Sequence, residues 1–150
     1  MRLTTYTTRY DNDRAIILVK ENAINYGKPT IVDRPERAAE ILQSICDAGN
    51  LPQEHFWLLT LDGARKCTGL FTVTTGTLMA SLVHPREVFQ RAILIGAASI
   101  IIAHNHPSGT LDISEQDREV TKRIKKAGEL LGIRLDDHLV IANNCFASAM

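Results

Sequence analysis

Three residues able to hold a divalent cation fall close together in the segment "AHNHPSGTLDISEQD": His104, His106 and Asp117. Two imidazoles one residue apart on a strand point to the same face, because strand side chains alternate with period two. Pro107 fixes one dihedral and Gly109 permits a conformation that other residues resist, so "PSG" reverses the chain beside the two rings. Ser114 then opens a helix with Asp117 in its first turn, where a carboxylate can fold back over the strand end. Two histidines and one carboxylate leave a tetrahedral Zn²⁺ with one position for water, the arrangement of a catalytic rather than a closed structural site. Such an ion lowers the pKa of its water to about 7 and polarises a carbonyl oxygen, which suits amide hydrolysis. A structural explanation competes for part of the motif: Ser114-Glu115-Gln116-Asp117 also fits a helix-capping box, although Asp is less usual than Glu or Gln at its fourth place. The two histidines beside it favour metal. The letters "HNH" do not make this a nuclease of that name, whose histidines come from separate parts of a ββα-metal unit.

The elements that must position these residues are legible as patterns. "ASIIIAHNH" is a continuous apolar run of the kind found in a central strand covered on both faces. "ISEQDREVTKRIKKAGELLGI" is a helix with Val120, Ile124, Ala127 and Leu131 on its apolar face and Gly132 at its end, and "IRLDDHLVIA" is a last strand closing the sequence. Upstream, "RPERAAEILQSICDAGN" reads as a helix with apolar Ala38, Ile41, Leu42 and Ile45 and with Gly49 as its stop, and "HPREVFQRAILIGA" as another, with Pro85 and Glu87 in its first turn. Between them "HFWLLTLD", "CTGLFTVTTG" and "TLMASLV" read as three strands in meander order. Residues 1 to 32 hold two weaker strand signals, "TYTTRY" and "AIILVK", and read as an N-terminal extension packed on a domain spanning 33 to 150. The expected fold is a single α/β domain of α+β type with a mixed sheet.

Composition narrows the classes. The 150 residues are 45% hydrophobic and 23% charged, as in an ordinary globular chain, with no apolar window approaching the roughly 18 residues of a membrane span and no secretory h-region. A cytoplasmic location and no membrane partner are the default expectations. Cys46, Cys67 and Cys145 form no CxxC pair and read as small apolar residues. Lys plus Arg balance Asp plus Glu at 17 each, so no global basic field gathers nucleic acid. The local exception, "KRIKK", places Lys122, Arg123, Lys125 and Lys126 around Ile124 and reads first as a solvated helix face, second as a patch for DNA phosphates.

The spacing His104-x-His106-x7-Ser114-x2-Asp117, with "PREVFQRAI" ahead of it and "LGIRLDDHLVI" behind, resembles the bacterial RadC family within the JAMM (MPN-type) metalloprotease superfamily, from about Asp33 to near the C-terminus. The resemblance implies a JAB/MPN fold, a curved mixed sheet flanked by helices and similar to cytidine deaminases. It implies a zinc metallohydrolase of peptidase or isopeptidase type, with His104, His106 and Asp117 as zinc ligands and Ser114 as the oxyanion's hydrogen-bond donor. Superfamily members take the proton of the zinc-bound water with a glutamate ahead of a strand. Glu54, in "LPQEHFWLLTLD", matches that order; Glu87 is nearer in sequence, but a helix's first turn already explains it. Longer RadC proteins carry a helix-hairpin-helix region expected to touch DNA, to which nothing in residues 1 to 32 corresponds.

Other histidines and Asn105 read more plainly. His138, in "DDHLVI", is expected to be structural, hydrogen-bonded to Asp136 or Asp137 rather than a ligand. Asn105 faces away from the metal and ties a neighbouring loop, or supports a ligating histidine. His55 and His84 read as structural or surface residues. Two functions compete with amide hydrolysis: a DNA-associated binding module without peptidase activity, and a metal-dependent nuclease using the same centre.

Overall fold

A computed structural model describes residues 2–76 and 83–150. Among the described residues seven strands, β1 (Arg2–Tyr10), β2 (Ile16–Asn25), β3 (Glu54–Leu61), β4 (Cys67–Gly76), β5 (Ser99–Asn105), β6 (Arg134–Ala142) and β7 (Cys145–Ser148), form one mixed sheet. Its order is β2-β1-β4-β3-β5-β6-β7. The β1–β4 and β5–β6 pairs are parallel and the rest antiparallel. Three α-helices among the described residues, α1 (Pro35–Cys46), α2 (Pro85–Ile95) and α3 (Glu115–Leu131), cover the sheet, and a 3-10 turn, Ala48–Asn50, follows α1.

Strand alternation divides the core in two. Trp57, Leu59, Ile101, Ala103, Leu139 and Ile141 pack with Ala38, Ile41 and Leu42 of α1 on one face. Phe56, Leu58, Ile100 and Ile102 pack on the other with Val88 and Phe89 of α2 and Val120 and Ile124 of α3. All seven residues of β5 are buried, as its unbroken apolar run requires for a strand with layers on both sides. Since Ile100 and Ile102 face α3, His104 faces α3 too, and Asn105 faces the α1 layer.

The β1–β2 hairpin is hydrogen-bonded into the sheet edge through Thr5 and Tyr6 against β4. β3 and β4 pair in the expected meander, whereas the expected third strand, "TLMASLV", lies outside the described residues except for buried Val83. Three expectations are corrected. Helix α1 stops at Asp47, left-handed at φ 53°, and not at Gly49. Gly49 is instead pressed against the Asn143 backbone, where a Cβ would sit 1.7 Å from the Asn143 oxygen. Leu131 is about half exposed (47%) rather than on the buried face of α3; Gly128 takes that place, because a side chain there would strike the Ile133 carbonyl. β6 does not close the chain: β7 pairs with it after a tight turn through Asn143, a residue with φ 53°. Four residues are too few for a clear period-two signal. Of the cysteines, Cys67 is buried, Cys46 half-buried and Cys145 exposed, and none is in a disulfide.

Candidate metal centre

The candidate ligands meet where β5 ends and α3 begins. His104 is the penultimate residue of β5, and His106 follows just past its end. The turn after it closes through a hydrogen bond from Gly109 N–H to the His106 carbonyl (3.0 Å), with Gly109 at φ 87°. Ser114 caps α3 with both arms of a capping box: its Oγ accepts from Asp117 N–H (3.0 Å), and Asp117 Oδ2 accepts from Ser114 N–H (2.9 Å). Capping and metal binding are therefore not alternatives. The cap fixes the Asp117 carboxylate while its other oxygen, Oδ1, faces His104 Nε2 at 3.1 Å.

The donor atoms of His104, His106 and Asp117 all lie within 4.8 Å of one another. His104 Nε2 and His106 Nε2 are 3.1 Å apart, and His106 Nε2 is 3.6 Å from Asp117 Oδ2. A tetrahedral zinc site with bonds of about 2.0–2.1 Å needs ligand atoms roughly 3.3 Å apart, so these spacings fit such an ion. Two imidazoles with one carboxylate also suit zinc better than calcium or magnesium, which prefer all-oxygen shells. His104 and Asp117 are both 2% exposed, so the group has little solvent of its own and must be held by protein.

Electrostatics agree with a cation between them. Burial alone would raise the Asp117 pKa; hydrogen bonds from His104, His106 and the Ser114 backbone outweigh it and hold the carboxyl far below its usual range. The hydrogen bond to Asp117 raises the His106 pKa against the opposing effect of burial, helped by the Thr110 carbonyl and the charges of Asp117 and Glu54. His106 Nδ1 lies 2.9 Å from the Thr110 carbonyl. A carbonyl only accepts, so Nδ1 carries the hydrogen and Nε2 is the atom left for a cation or proton.

A cavity of about 410 Å³ opens over this group. Glu54 and Ser114 stand on its wall with His104, His106 and Asp117, whereas Glu87 does not. Glu87 instead pairs with Arg91 (3.3 Å) on α2. The charged residues lining the cavity are Glu54, Asp112 and Asp117, with no Lys or Arg among its described lining. Asn105, between the two histidines and 2% exposed, clamps the backbone on both sides of Glu54: its Oδ1 accepts from His55 N–H (2.6 Å) and its Nδ2 donates to the Gln53 carbonyl (2.9 Å). The loop-tying role read for Asn105 thus falls on the segment that carries Glu54. His55 stacks on Trp57 at 5.5 Å, and exposed His84 precedes α2 outside the cavity wall.

His138 is a buried, hydrogen-bonded residue outside the ligand group, as expected, but its partners are not the expected aspartates. Asp137 Oδ1 bonds the His138 backbone N–H and Ser148 Oγ, not the ring. The ring, fully buried, instead places Nε2 2.9 Å from His104 Nδ1 and Nδ1 2.7 Å from Thr121 Oγ1. Its parallel register with Ile102 points it toward α3, and burial followed by repulsion from His104 pushes its pKa down to about 3. Thr121 was not read as a functional residue from the sequence. The signal was nonetheless there: it stands four residues after Asp117, a second polar group on the buried stripe that Val120 and Ile124 also share.

Fold and site together define an α/β domain with a group able to hold a metal ion, compatible with a metalloprotease-type centre. The family model described as "RadC-like JAB domain" matches residues 32–150, and the chain belongs to that family. It is similar to UPF0758 proteins: 44% identical over 118 residues to that of Shouchella clausii, covering 79% of this chain and 50% of the relative. The Clostridium kluyveri protein is 46% identical over 114 residues (76% and 49%), and that of Methanospirillum hungatei 44% over 125 (80% and 55%). The chain spans about half the length of these relatives. No helix among the described residues is long and apolar enough to cross a membrane.

Proposed function

We propose that this chain is a zinc-dependent hydrolase of amide bonds, of peptidase or isopeptidase type, acting on a peptide or isopeptide-linked protein. The observation that carries it is the convergence of His104, His106 and Asp117 beneath a cavity whose wall also presents Glu54 and Ser114. A zinc ion held by the three ligands supplies Lewis-acid polarisation of a carbonyl and acidifies water. Glu54 is the residue to take the water's proton and return it to the leaving amine, kept in place by the Asn105 clamp. Ser114 Oγ accepts the Asp117 N–H through a lone pair, which leaves its hydroxyl hydrogen to donate toward a developing oxyanion. The lining favours amide over phosphodiester: carboxylates without Lys or Arg repel a phosphate before it reaches the centre. Metal analysis of the purified protein beside His104→Ala, followed by peptidase assays, is the test; wild-type protein that refuses added zinc sinks the proposal.

A second function, binding to DNA, is supported by a shallow groove along the flank of α3, lined by Arg118, Lys122 and Lys125 with Thr121, Ala149 and Met150. Steep salt dependence of duplex binding, lost on neutralising these residues, would support it.

A further inference from the structure

We infer that His138 and Thr121 are positioning residues that fix the ring tautomer of His104, through a hydrogen-bond relay running from one candidate ligand to the backbone of another. Thr121 Oγ1 lies 2.9 Å from the Asp117 carbonyl and 2.7 Å from His138 Nδ1. The hydroxyl has one hydrogen and the carbonyl has none. Both contacts are hydrogen bonds only when Thr121 donates to the carbonyl and accepts from His138 Nδ1–H. His138 then has a bare Nε2, and His104 Nδ1, 2.9 Å away, must donate to it. With its hydrogen committed at Nδ1, His104 leaves Nε2, directed at Asp117 and His106, as the ring atom that a metal can take.

The two imidazoles of the relay are closed to water, and Thr121 is buried beside a surface groove. His104, His138 and Thr121 are 2%, 0% and 8% exposed, and Phe56 lies against both imidazoles, its ring centroid 6.3 Å from that of His104 and 6.1 Å from that of His138. No solvent molecule substitutes easily for a lost partner in such a place, so the direction of the relay is set by its terminal carbonyl. Asp117 is thereby tied in three ways: capped by Ser114, facing His104 with its carboxylate, and joined by its carbonyl to the opposite edge of the same ring. Ligand spacing and ligand tautomer are coupled through the first two turns of α3.

The inference rests on the metal-centre reading above, yet it makes a statement about the protein without metal. In Thr121→Val the His138 Nδ1–H loses its acceptor. The pair can then satisfy itself by reversing, with His138 donating from Nε2 and His104 carrying its hydrogen on Nε2, where it blocks a metal. Zinc affinity, measured by competition with a chromophoric chelator, should fall about 10- to 100-fold in Thr121→Val and stay within about twofold of wild type in Thr121→Ser. Imidazole ¹⁵N shifts of the metal-free protein should show hydrogen on Nδ1 of both His104 and His138 in the wild type. In Thr121→Val they should show transfer of population to Nε2.

Thr121→Val with unchanged zinc affinity, beside a wild type that binds zinc, overturns the relay. So does a wild-type His104 that carries no hydrogen on Nδ1 in the metal-free protein, an outcome that needs no variant to fold. Should the wild type bind no zinc while the tautomers and their reversal appear as described, the metal-centre proposal falls and the relay stands.

Discussion

The two sides of α3 show what separates a site from a charged surface. Its inner side carries Asp117 and Thr121, both buried, with Asp117 Oδ2 and Thr121 Oγ1 each held by hydrogen bonds within the protein. Its outer side carries Arg118, Lys122, Lys125 and Lys126, all exposed, around the buried Ile124. Residues 117 and 118 are neighbours in sequence, yet one carboxylate lies 3.1 and 3.6 Å from two imidazoles while the next guanidinium sits in water. Fixed groups can stabilise a cation or a transition state without reorganising; solvated ones contribute only a screened field.

The largest effect should come from breaking the inner side. His104→Ala or Asp117→Ala should abolish stoichiometric zinc binding, measured by elemental analysis after dialysis, whereas Lys122→Ala should leave it unchanged. Equal zinc in all three would erase the distinction. Next in size, Glu54→Gln should retain zinc and reduce peptidase turnover by roughly 10²–10⁴-fold, the usual contribution of a general base. Glu87→Gln, on a residue off the cavity wall, should leave turnover within about twofold; the opposite pattern would transfer the role to Glu87.

Much of this contrast was legible in the sequence, and the reason is geometric. Period two put His104 and His106 on one face, and the Pro107 and Gly109 turn with the Ser114 cap returned the chain to them, all through local rules. What sequence did not give depends on which strands become neighbours. The parallel β5–β6 register places His138 beside His104, and nothing local to "DDHLVI" says so; the adjacent Asp136 and Asp137 were the partners that proximity along the chain suggested. The Asn105 clamp on Gln53 and His55 likewise requires β3 beside β5. Helix α1 ended early for a related reason: Asp47 took the left-handed position so that Gly49 could lie against Asn143, a contact between residues nearly a hundred positions apart.

The clamp and the buried ring make intermediate predictions. Asn105→Ala leaves the His55 N–H and Gln53 carbonyl without their partner and should lower stability by about 1–3 kcal/mol in urea unfolding, with zinc binding retained. A simultaneous loss of zinc would mean that Asn105 supports the ligands rather than the Glu54 segment. Stability against pH should separate the buried groups by window. Burial depresses the folded pKa of His138 to about 3 from its ordinary 6.5, so between these values the unfolded chain binds more protons. Its contribution is present above pH 6.5 and is lost on acidification toward 3, on the order of a few kcal/mol for metal-free protein. Asp117, also depressed, adds its loss only below the ordinary carboxylate range, while raised His106 contributes fully below 6.5 and loses its part at higher pH. Unfolding free energy that stayed flat from pH 6.5 to 4 would mean His138 is not buried neutral.

The smallest effect should come from the outer side. Neutralising Arg118, Lys122, Lys125 and Lys126 together removes four solvated charges from a helix whose packing rests on Val120 and Ile124, so the fold should change by less than about 1 kcal/mol. Zinc affinity should be unaltered, because these charges are exposed and none lines the cavity over the ligands. Only duplex binding, if the groove serves it, should respond, with the slope of log affinity against log salt falling by close to one unit for each phosphate contact removed. A variant that lost zinc or turnover along with DNA would show the two sides of α3 to be one coupled surface. A variant that changed nothing at all would leave the outer side as a solvated helix face and the chemistry of this domain entirely on the inner one.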